Sequence, residues 1–269
     1  MPTPELTIVK LGGSVITRKK EVERIRPKVL ERLATEVADS RASCLILLHG
    51  AGSFGHPGAH RFGLAAPPSP AESRSVETRR RGAAIVSAEV RRLHLAVLSA
   101  LLRAGLSPWS VPIALHARNQ AGVLAKLDSA PFGDALKHSL IPVSFGDVVP
   151  DDDWGFSILS ADTIARELTA QLHARRVIFV SDVEGILRTE PGGRRRAIPE
   201  VSPEVRDSLR PVTGAPDVTG GIRGKADAML AISKLGADAG LISGLTDGAL
   251  SRAIRGEAVY GSWAKSESR

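Results

Sequence analysis

The chain has 269 residues, and 43% of them are apolar, which is enough for the core of one large domain. Its net charge of +7 would suit a nucleic-acid binder, but the short arginine runs lie in separate segments without aromatic residues between them, which favours solvated helix faces and loops. Cys44 is the only cysteine and no apolar run is long enough to span a membrane, so we expect a cytoplasmic protein without internal disulfides that binds neither nucleic acid nor a membrane.

Short apolar runs that end in glycine or an acidic residue alternate with helical patterns along the chain. They predict buried strands at 6–13, 44–50, 140–147, 176–182 and 239–244. Apolar residues spaced four apart predict helices between the strands, including one with its N-cap at Ser160 and a long one over 72–103. A surface hairpin is predicted within 181–201, with its turn at 191–193. The order predicts an α/β fold, a three-layer αβα sandwich with a largely parallel central sheet and its functional groups at the carboxyl ends of the strands.

Three glycine-rich segments are candidate phosphate-binding loops. Residues 12–14 follow the first predicted strand, residues 50–53 follow the second, and residues 220–225 lead into a predicted helix. Each segment offers backbone N–H groups, and a helix N-terminus adds positive potential, so each suits a phosphate group. The sequence matches neither the P-loop motif nor the dinucleotide-binding motif. The pattern therefore favours several phosphate-binding turns along one sheet.

Two lysines are placed where solvent exposure explains them poorly. Lys10 ends an otherwise apolar strand, where an unpaired lysine is costly to bury. Lys225 lies at a helix start, where a cation opposes the helix dipole unless an anion is bound. Both positions favour a phosphate-binding role.

Six blocks of sequence resemble those of the amino-acid-kinase superfamily, in the same order: VKLGGSVIT, HGAGSFGHP, SFGDVVPD, GFSILSAD, FVSDVEGI and DVTGGIRGK. The resemblance covers residues from about 6 to 261. The histidine in GSFGH is similar to that of the isopentenyl phosphate kinases, and fosfomycin kinases also carry a histidine there. The resemblance implies an ATP-dependent kinase of a small phosphate, with Mg²⁺ arriving with ATP and a homodimeric assembly. It also implies a single two-lobed domain over 1–269, with an acceptor-binding lobe at about 1–170 and a nucleotide-binding lobe at about 171–269.

The resemblance further implies roles for individual residues of these blocks. The residues that it assigns to ATP are Lys10, Gly12, Gly13, Ser14, Gly52, Ser181, Asp182, Gly221 and Lys225. The residues that it assigns to the acceptor phosphate are Ala51, Gly52, Gly55, His56 and Gly155. The catalytic set is Lys10, Lys19, His56, Asp182 and Lys225, in which Asp182 orients the lysines. No metal site built from protein ligands is expected, because the acidic residues are scattered.

Several alternatives stay open at the level of sequence. Lys20 competes with Lys19 for the role at the phosphates, and His56 also suits a local turn contact. The candidates for a slot that holds an apolar acceptor tail are Ala83, Ala84, Ile85, Val86 and Val90. The leading hypothesis is conversion of isopentenyl phosphate to isopentenyl diphosphate. The alternatives are a kinase of another small phosphate or phosphonate such as fosfomycin, and a non-catalytic nucleotide- or nucleic-acid-binding protein.

Overall fold

The computed structural model describes residues 5–18, 21–68, 73–189, 195–209 and 221–266. In chain order the elements of these residues are β1 (Thr7–Leu11), α1 (Gly13–Ile16), α2 (Pro27–Ser40), β2 (Leu45–His49), α3 (Gly52–Arg61), α4 (Ser73–Arg103), β3 (Pro108–Ser110), β4 (Ala117–Gln120), β5 (Val123–Leu127), α5 (Ala130–Lys137), β6 (Ile141–Phe145), β7 (Asp147–Asp151), β8 (Gly155–Leu159), α6 (Ala161–Leu172), β9 (Arg176–Ser181), β10 (Leu187–Thr189), β11 (Arg195–Ala197), α7 (Pro203–Ser208), α8 (Gly221–Lys234), β12 (Asp238–Ser243), α9 (Ala249–Ile254) and β13 (Gly261–Ala264). A short 3₁₀ helix, Ile113–Leu115, precedes β4. Lys19 and Lys20 lie outside the described residues, so the choice between them stays a prediction.

The central sheet of the described residues has the strand order β13-β12-β9-β1-β2-β6-β3. Its neighbouring strands pair in parallel, except for the antiparallel edge pair of β12 and β13. All five strands expected from the apolar runs lie in this sheet, within two residues of their predicted bounds. These runs are buried on both faces, which is why their apolar residues follow one another without alternation.

Helices cover both faces of the central sheet and confirm the three-layer αβα sandwich. On one face, Ile164 of α6 and Met229 of α8 belong to the same buried cluster as Ile8 of β1. On the other face, α2, α4 and α9 pack against the opposite side chains of the same strands. The predicted N-cap is confirmed, because the Ser160 hydroxyl accepts a hydrogen bond of 3.1 Å from the N–H group of Thr163. The long helix begins one residue after its predicted start and ends at Arg103 as predicted.

A second, four-stranded sheet in the order β5-β4-β7-β8 was not predicted from the sequence. Strands β4 and β5 are short and largely exposed, and neither contains a run of buried apolar residues, so their pattern does not differ from that of a loop. The turn between β7 and β8 is organised by Asp151, whose carboxylate accepts hydrogen bonds from the N–H groups of Gly122 and Trp154 and from the Ser157 hydroxyl. Although burial raises the pKa of Asp151, the hydrogen bonds from Ser157 and the backbone hold it below its usual value.

The predicted surface hairpin is present as the antiparallel pair of β10 and β11. Its predicted turn at 191–193 lies outside the described residues. The division into two lobes at about residue 170 stays a prediction.

Candidate phosphate-binding site

A cavity of about 1060 Å³ lies at the carboxyl edge of the central sheet. The segments that follow β1, β2, β6 and β9 line it, as do the first turns of α3, α6 and α8. The N-terminus of a helix carries unsatisfied N–H groups and a partial positive charge. Three such N-termini at one cavity favour a ligand with several negative charges, such as a polyphosphate.

The two glycine loops after β1 and β2 pack directly against each other. A methyl group on Gly13 would overlap the backbone nitrogen of Gly52, and Gly52 itself has a φ of +51°. Thr17 joins the loops, because its hydroxyl donates to the Gly13 carbonyl at 2.7 Å and accepts from the Ser53 N–H group at 3.0 Å. These glycines are therefore required for contact between two backbone segments, beyond any approach of a ligand.

Substituting Gly13 by alanine is expected to lower the free energy of unfolding by about 1–3 kcal/mol or more, because the new methyl group overlaps the backbone of the neighbouring loop. Gly133→Ala is the matched control, since Gly133 lies within α5 and a methyl group added there would meet no other atom within 4 Å. That variant should gain about 0.5–1 kcal/mol from its better helix propensity. Urea denaturation measures both changes, and equal stability of the two variants would contradict the steric explanation.

Gly12, Gly13 and Ser14 were expected to donate backbone hydrogen bonds to ATP phosphates, but the N–H group of Gly12 already has an acceptor within the protein. The N–H group of Gly12 donates to the Val180 carbonyl at 2.7 Å, which ties the loop to β9, so the prediction that this N–H group donates to ATP is corrected. Gly12 lines the cavity, and its place beside ATP stays a prediction. Within the described ranges, the N–H groups of Gly13 and Ser14 donate no hydrogen bond. Both residues line the cavity, and they are the two backbone donors that the loop retains for a ligand.

The segment HGAGSFGHP forms the end of β2 and the start of α3. Ala51, Gly52, Gly55 and His56 all line the cavity, as expected for an acceptor site. The backbone of Ala51 has φ −71° and ψ −26°, which alanine adopts without strain. Among the described residues, the N–H groups of Ala51 and Gly52 have no hydrogen-bond partner. Gly155 is different: it is the first residue of β8 and is not part of the cavity wall, whereas its neighbour Trp154 is.

Lys10 and Lys225 face the same carboxylate, that of Asp162. Lys10 Nζ lies 2.6 Å from Asp162 Oδ1, and Lys225 Nζ lies 3.8 Å from Asp162 Oδ2. Although burial opposes ionisation of Asp162, Lys10 and Lys225 hold its pKa below the usual value, so the group is an anion between two cations. The contact forms because the first turn of α6 packs over β1. Asp162 is therefore a second carboxylate that positions these lysines, and the role predicted for Asp182 stays a prediction.

Asp162 was missed because its position has a simpler explanation in sequence. It lies in the first turn of α6, where an acidic residue is stabilised by the helix dipole without any function. Arg166, one turn further along the same helix, also lines the cavity and was not predicted. Asp182 lines the cavity too, but its carboxylate accepts a hydrogen bond of 2.7 Å from the Ser14 hydroxyl, which joins the ends of β1 and β9. Ser181 lies beside it in the cavity wall.

Asp162→Asn is expected to lower the free energy of unfolding by about 3 kcal/mol in the absence of nucleotide, because two closely placed cations lose their shared counter-charge. Phosphate groups would supply negative charge to the same lysines, so saturating ATP should reduce the loss. Thermal unfolding with and without ATP measures the difference. Asp134→Asn, which removes the partner of the exposed Lys137, is the control and should change stability little. An equal loss with and without ATP would show that the lysines do not face the nucleotide.

The apolar part of the cavity wall is only partly the one expected. Val86 and Val90 of α4 line the cavity. Ala83, Ala84 and Ile85 are not part of the cavity wall. Ala83 lies on the same helix face as the two valines and packs with them in one buried cluster, whereas helical geometry turns Ala84 and Ile85 away from that face. The wall is completed by residues from other elements, namely Leu64, Leu124, Trp154 and Ile158.

The described residues contain no group of three or more histidine, cysteine, aspartate or glutamate side chains arranged to hold a metal ion. In the same part of the chain, no helix is both long and apolar enough to cross a membrane.

The parallel sheet, its glycine-rich turns and the cationic cavity at its carboxyl edge define a phosphate-binding α/β protein. The sequence profile of the amino acid kinase family matches residues 5–242, and the chain belongs to that family.

Several members with a named activity are similar to the chain over nearly its whole length. It is 34% identical to an isopentenyl phosphate kinase from Methanothermobacter thermautotrophicus, over 95% of this chain and 97% of the relative. It is 28% identical to an isopentenyl phosphate kinase from Arabidopsis thaliana, over 93% of this chain and 90% of the relative. A solved structure of isopentenyl phosphate kinase superposes with a TM-score of 0.83 at 30% identity, covering 96% of this chain and 99% of the other.

Proposed function

We propose that this protein transfers the γ-phosphoryl group of ATP to isopentenyl phosphate, which gives isopentenyl diphosphate and ADP. An oxygen of the acceptor phosphate attacks the γ-phosphorus, and the bond from that phosphorus to the β,γ-bridging oxygen breaks. The attacking oxygen is already an anion, so the reaction needs no general base. The main requirement is to bring two anions together and to stabilise the charge on the transferred group.

The observation that carries the proposal is the order of surfaces along the cavity. The loop after β1 contacts the loop after β2 through Gly13 and Gly52. The first turn of α3, which continues from that loop, contacts the apolar wall, because a methyl group on Gly55 would lie 2.9 Å from Val90. Ala51, Gly52 and His56 therefore lie between the glycine loop that follows Lys10 and an apolar surface. That arrangement suits a phosphate that carries a short hydrocarbon tail.

The charged residues of the cavity have distinct proposed roles. Lys10 and Lys225 contact the ATP phosphates and stabilise the transferred group, with Gly13 and Ser14 as backbone donors. Asp162 holds the two lysines in place before nucleotide binds. His56 donates to the acceptor phosphate, and Asp182 and Ser181 lie beside the nucleotide. Mg²⁺ enters as the Mg²⁺–ATP substrate, coordinated mainly by phosphate and water.

A second candidate is a kinase of a short polar phosphonate such as fosfomycin. His56 would suit this acceptor as well, but a short polar phosphonate has no hydrocarbon tail to pack against Val86 and Val90. A ³¹P NMR assay with Mg²⁺–ATP and isopentenyl phosphate, with fosfomycin in a parallel sample, separates the two. New diphosphate resonances together with ADP in the first sample are the expected result. Turnover of fosfomycin alone would show that the acceptor is a phosphonate and not isopentenyl phosphate. The absence of turnover in both samples would reject both proposed acceptors. Lys10→Met protein serves as the control for contaminating kinases.

A homodimer is also part of the proposal, and light scattering measures the oligomeric state.

A further inference from the structure

A chain of buried hydrogen bonds connects the surface of the protein to the acceptor loop. His49, the last residue of β2, places Nδ1 3.2 Å from the Gly50 carbonyl oxygen and Nε2 3.1 Å from Nδ1 of His94 in α4. His94 Nε2 lies 2.8 Å from the Ser110 hydroxyl at the exposed end of β3. His49 is fully buried and His94 is 4% exposed, so their imidazole rings make these contacts away from bulk water.

The chemistry of these groups gives the chain one direction. The Gly50 carbonyl can only accept, so His49 Nδ1 carries the proton and His49 Nε2 is the acceptor. His94 Nδ1 must then donate to His49, and His94 Nε2 accepts from the Ser110 hydroxyl. The reversed tautomers would point a nitrogen lone pair at the carbonyl oxygen. Both rings must be neutral, and burial lowers the pKa of His49 to about 4 and that of His94 to about 3.

The two rings are also held in position from the side. Phe145 of β6 stacks on His49 with a centroid distance of 5.3 Å and packs against His94 at 4.4 Å. The proposed reaction uses neither histidine directly.

The Gly50 carbonyl and the Ala51 N–H group belong to one peptide unit. In a trans peptide these two groups point in opposite directions, and the unit turns as a rigid plane. A hydrogen bond that holds the carbonyl towards His49 therefore directs the Ala51 N–H group to the other side of the loop, where Ala51 lines the cavity.

We infer that His49 and His94 are positioning residues, which orient the Gly50–Ala51 peptide so that the Ala51 N–H group donates to the acceptor phosphate. The inference rests on the proposed function for the identity of the acceptor. The orientation of the Ala51 N–H group towards a phosphate does not depend on the hydrocarbon tail that the phosphate carries.

The first test is ¹⁵N NMR of the imidazole rings and backbone amides in the full-length protein. Both histidines are expected as neutral Nδ1–H tautomers at pH 7, and titration with inorganic phosphate should shift the Ala51 amide resonance. An Nε2–H tautomer at His49, or an Ala51 amide resonance that does not shift when inorganic phosphate is added, would overturn the inference. This measurement uses no substrate turnover, so its result stays distinct from failure of the proposed function.

The second test compares variants of His94 in steady-state kinetics. His94→Leu removes the donor to His49 and is expected to raise KM for isopentenyl phosphate about ten-fold, with KM for ATP within two-fold of wild type. His94→Asn keeps an N–H donor near the Nδ1 position and should recover most of the loss. His138→Asn, at an exposed histidine after α5, is the control. Equal changes in both KM values, or no change in a folded His94→Leu protein, would show a purely structural role. Should His94→Leu not fold, the tautomer measurement still decides.

Discussion

Lys10→Met is expected to lower kcat by about 10²–10³-fold, the loss typical of removing one group that stabilises developing charge in an enclosed site. Lys10 is 7% exposed at the end of β1, where water cannot replace its ammonium group efficiently. Methionine keeps the length and apolar stem of the side chain but not the charge. Asp162 retains Lys225 as a partner, so the variant should remain folded.

The measurement is steady-state kinetics with varied ATP and saturating isopentenyl phosphate, together with thermal unfolding of the same preparation. Lys137→Met is the matched control, because Lys137 is an exposed lysine on α5 and pairs only with Asp134 among the described residues. A kcat within five-fold of wild type in a folded Lys10→Met protein would remove Lys10 from the reaction. A loss confined to KM for ATP would make it a binding residue only.

His56→Ala is expected to lower kcat/KM for isopentenyl phosphate by about 10- to 100-fold, since a hydrogen bond to a charged group contributes about 1.5–3 kcal/mol. The dissociation constant for ATP should stay within two-fold of wild type. The reason is the element that carries each residue. His56 belongs to α3 and follows Gly55, which packs against Val90, whereas Lys10 and Lys225 belong to β1 and α8 and face Asp162.

The design uses two further variants on the same helix. His56→Asn keeps an N–H donor and should restore part of the activity. His60→Ala removes the next histidine along α3, which also lines the cavity but lies one helical turn further from the acceptor loop, and it should have little effect. Isothermal titration with ATP completes the comparison. Parallel losses of ATP binding and acceptor use in His56→Ala would show that His56 supports the fold of the loop instead.

Sequence reasoning was most successful where a signal is contained in a short segment. Most of the blocks that carry the family resemblance contain the end of a strand, and the cavity is lined by residues from these blocks, including Lys10, His56 and Lys225. It failed where two explanations share one local pattern. Asp162 has the position of an ordinary acidic residue in the first turn of a helix, and the short, largely exposed strands β4 and β5 have the pattern of a loop.

The sequence by itself determined the parallel sheet, the family and the glycine-rich turns, because apolar runs and glycines act on the backbone over a few residues. Tertiary structure decided which distant groups meet. It decided that the Gly12 N–H group donates to the Val180 carbonyl and that Asp162 lies between two lysines. It also decided that Gly13 packs on Gly52 and that His49 forms a hydrogen bond with His94. Each of these contacts depends on how strands and helices from separate parts of the chain are brought together at one edge of the sheet, and no local periodicity encodes that.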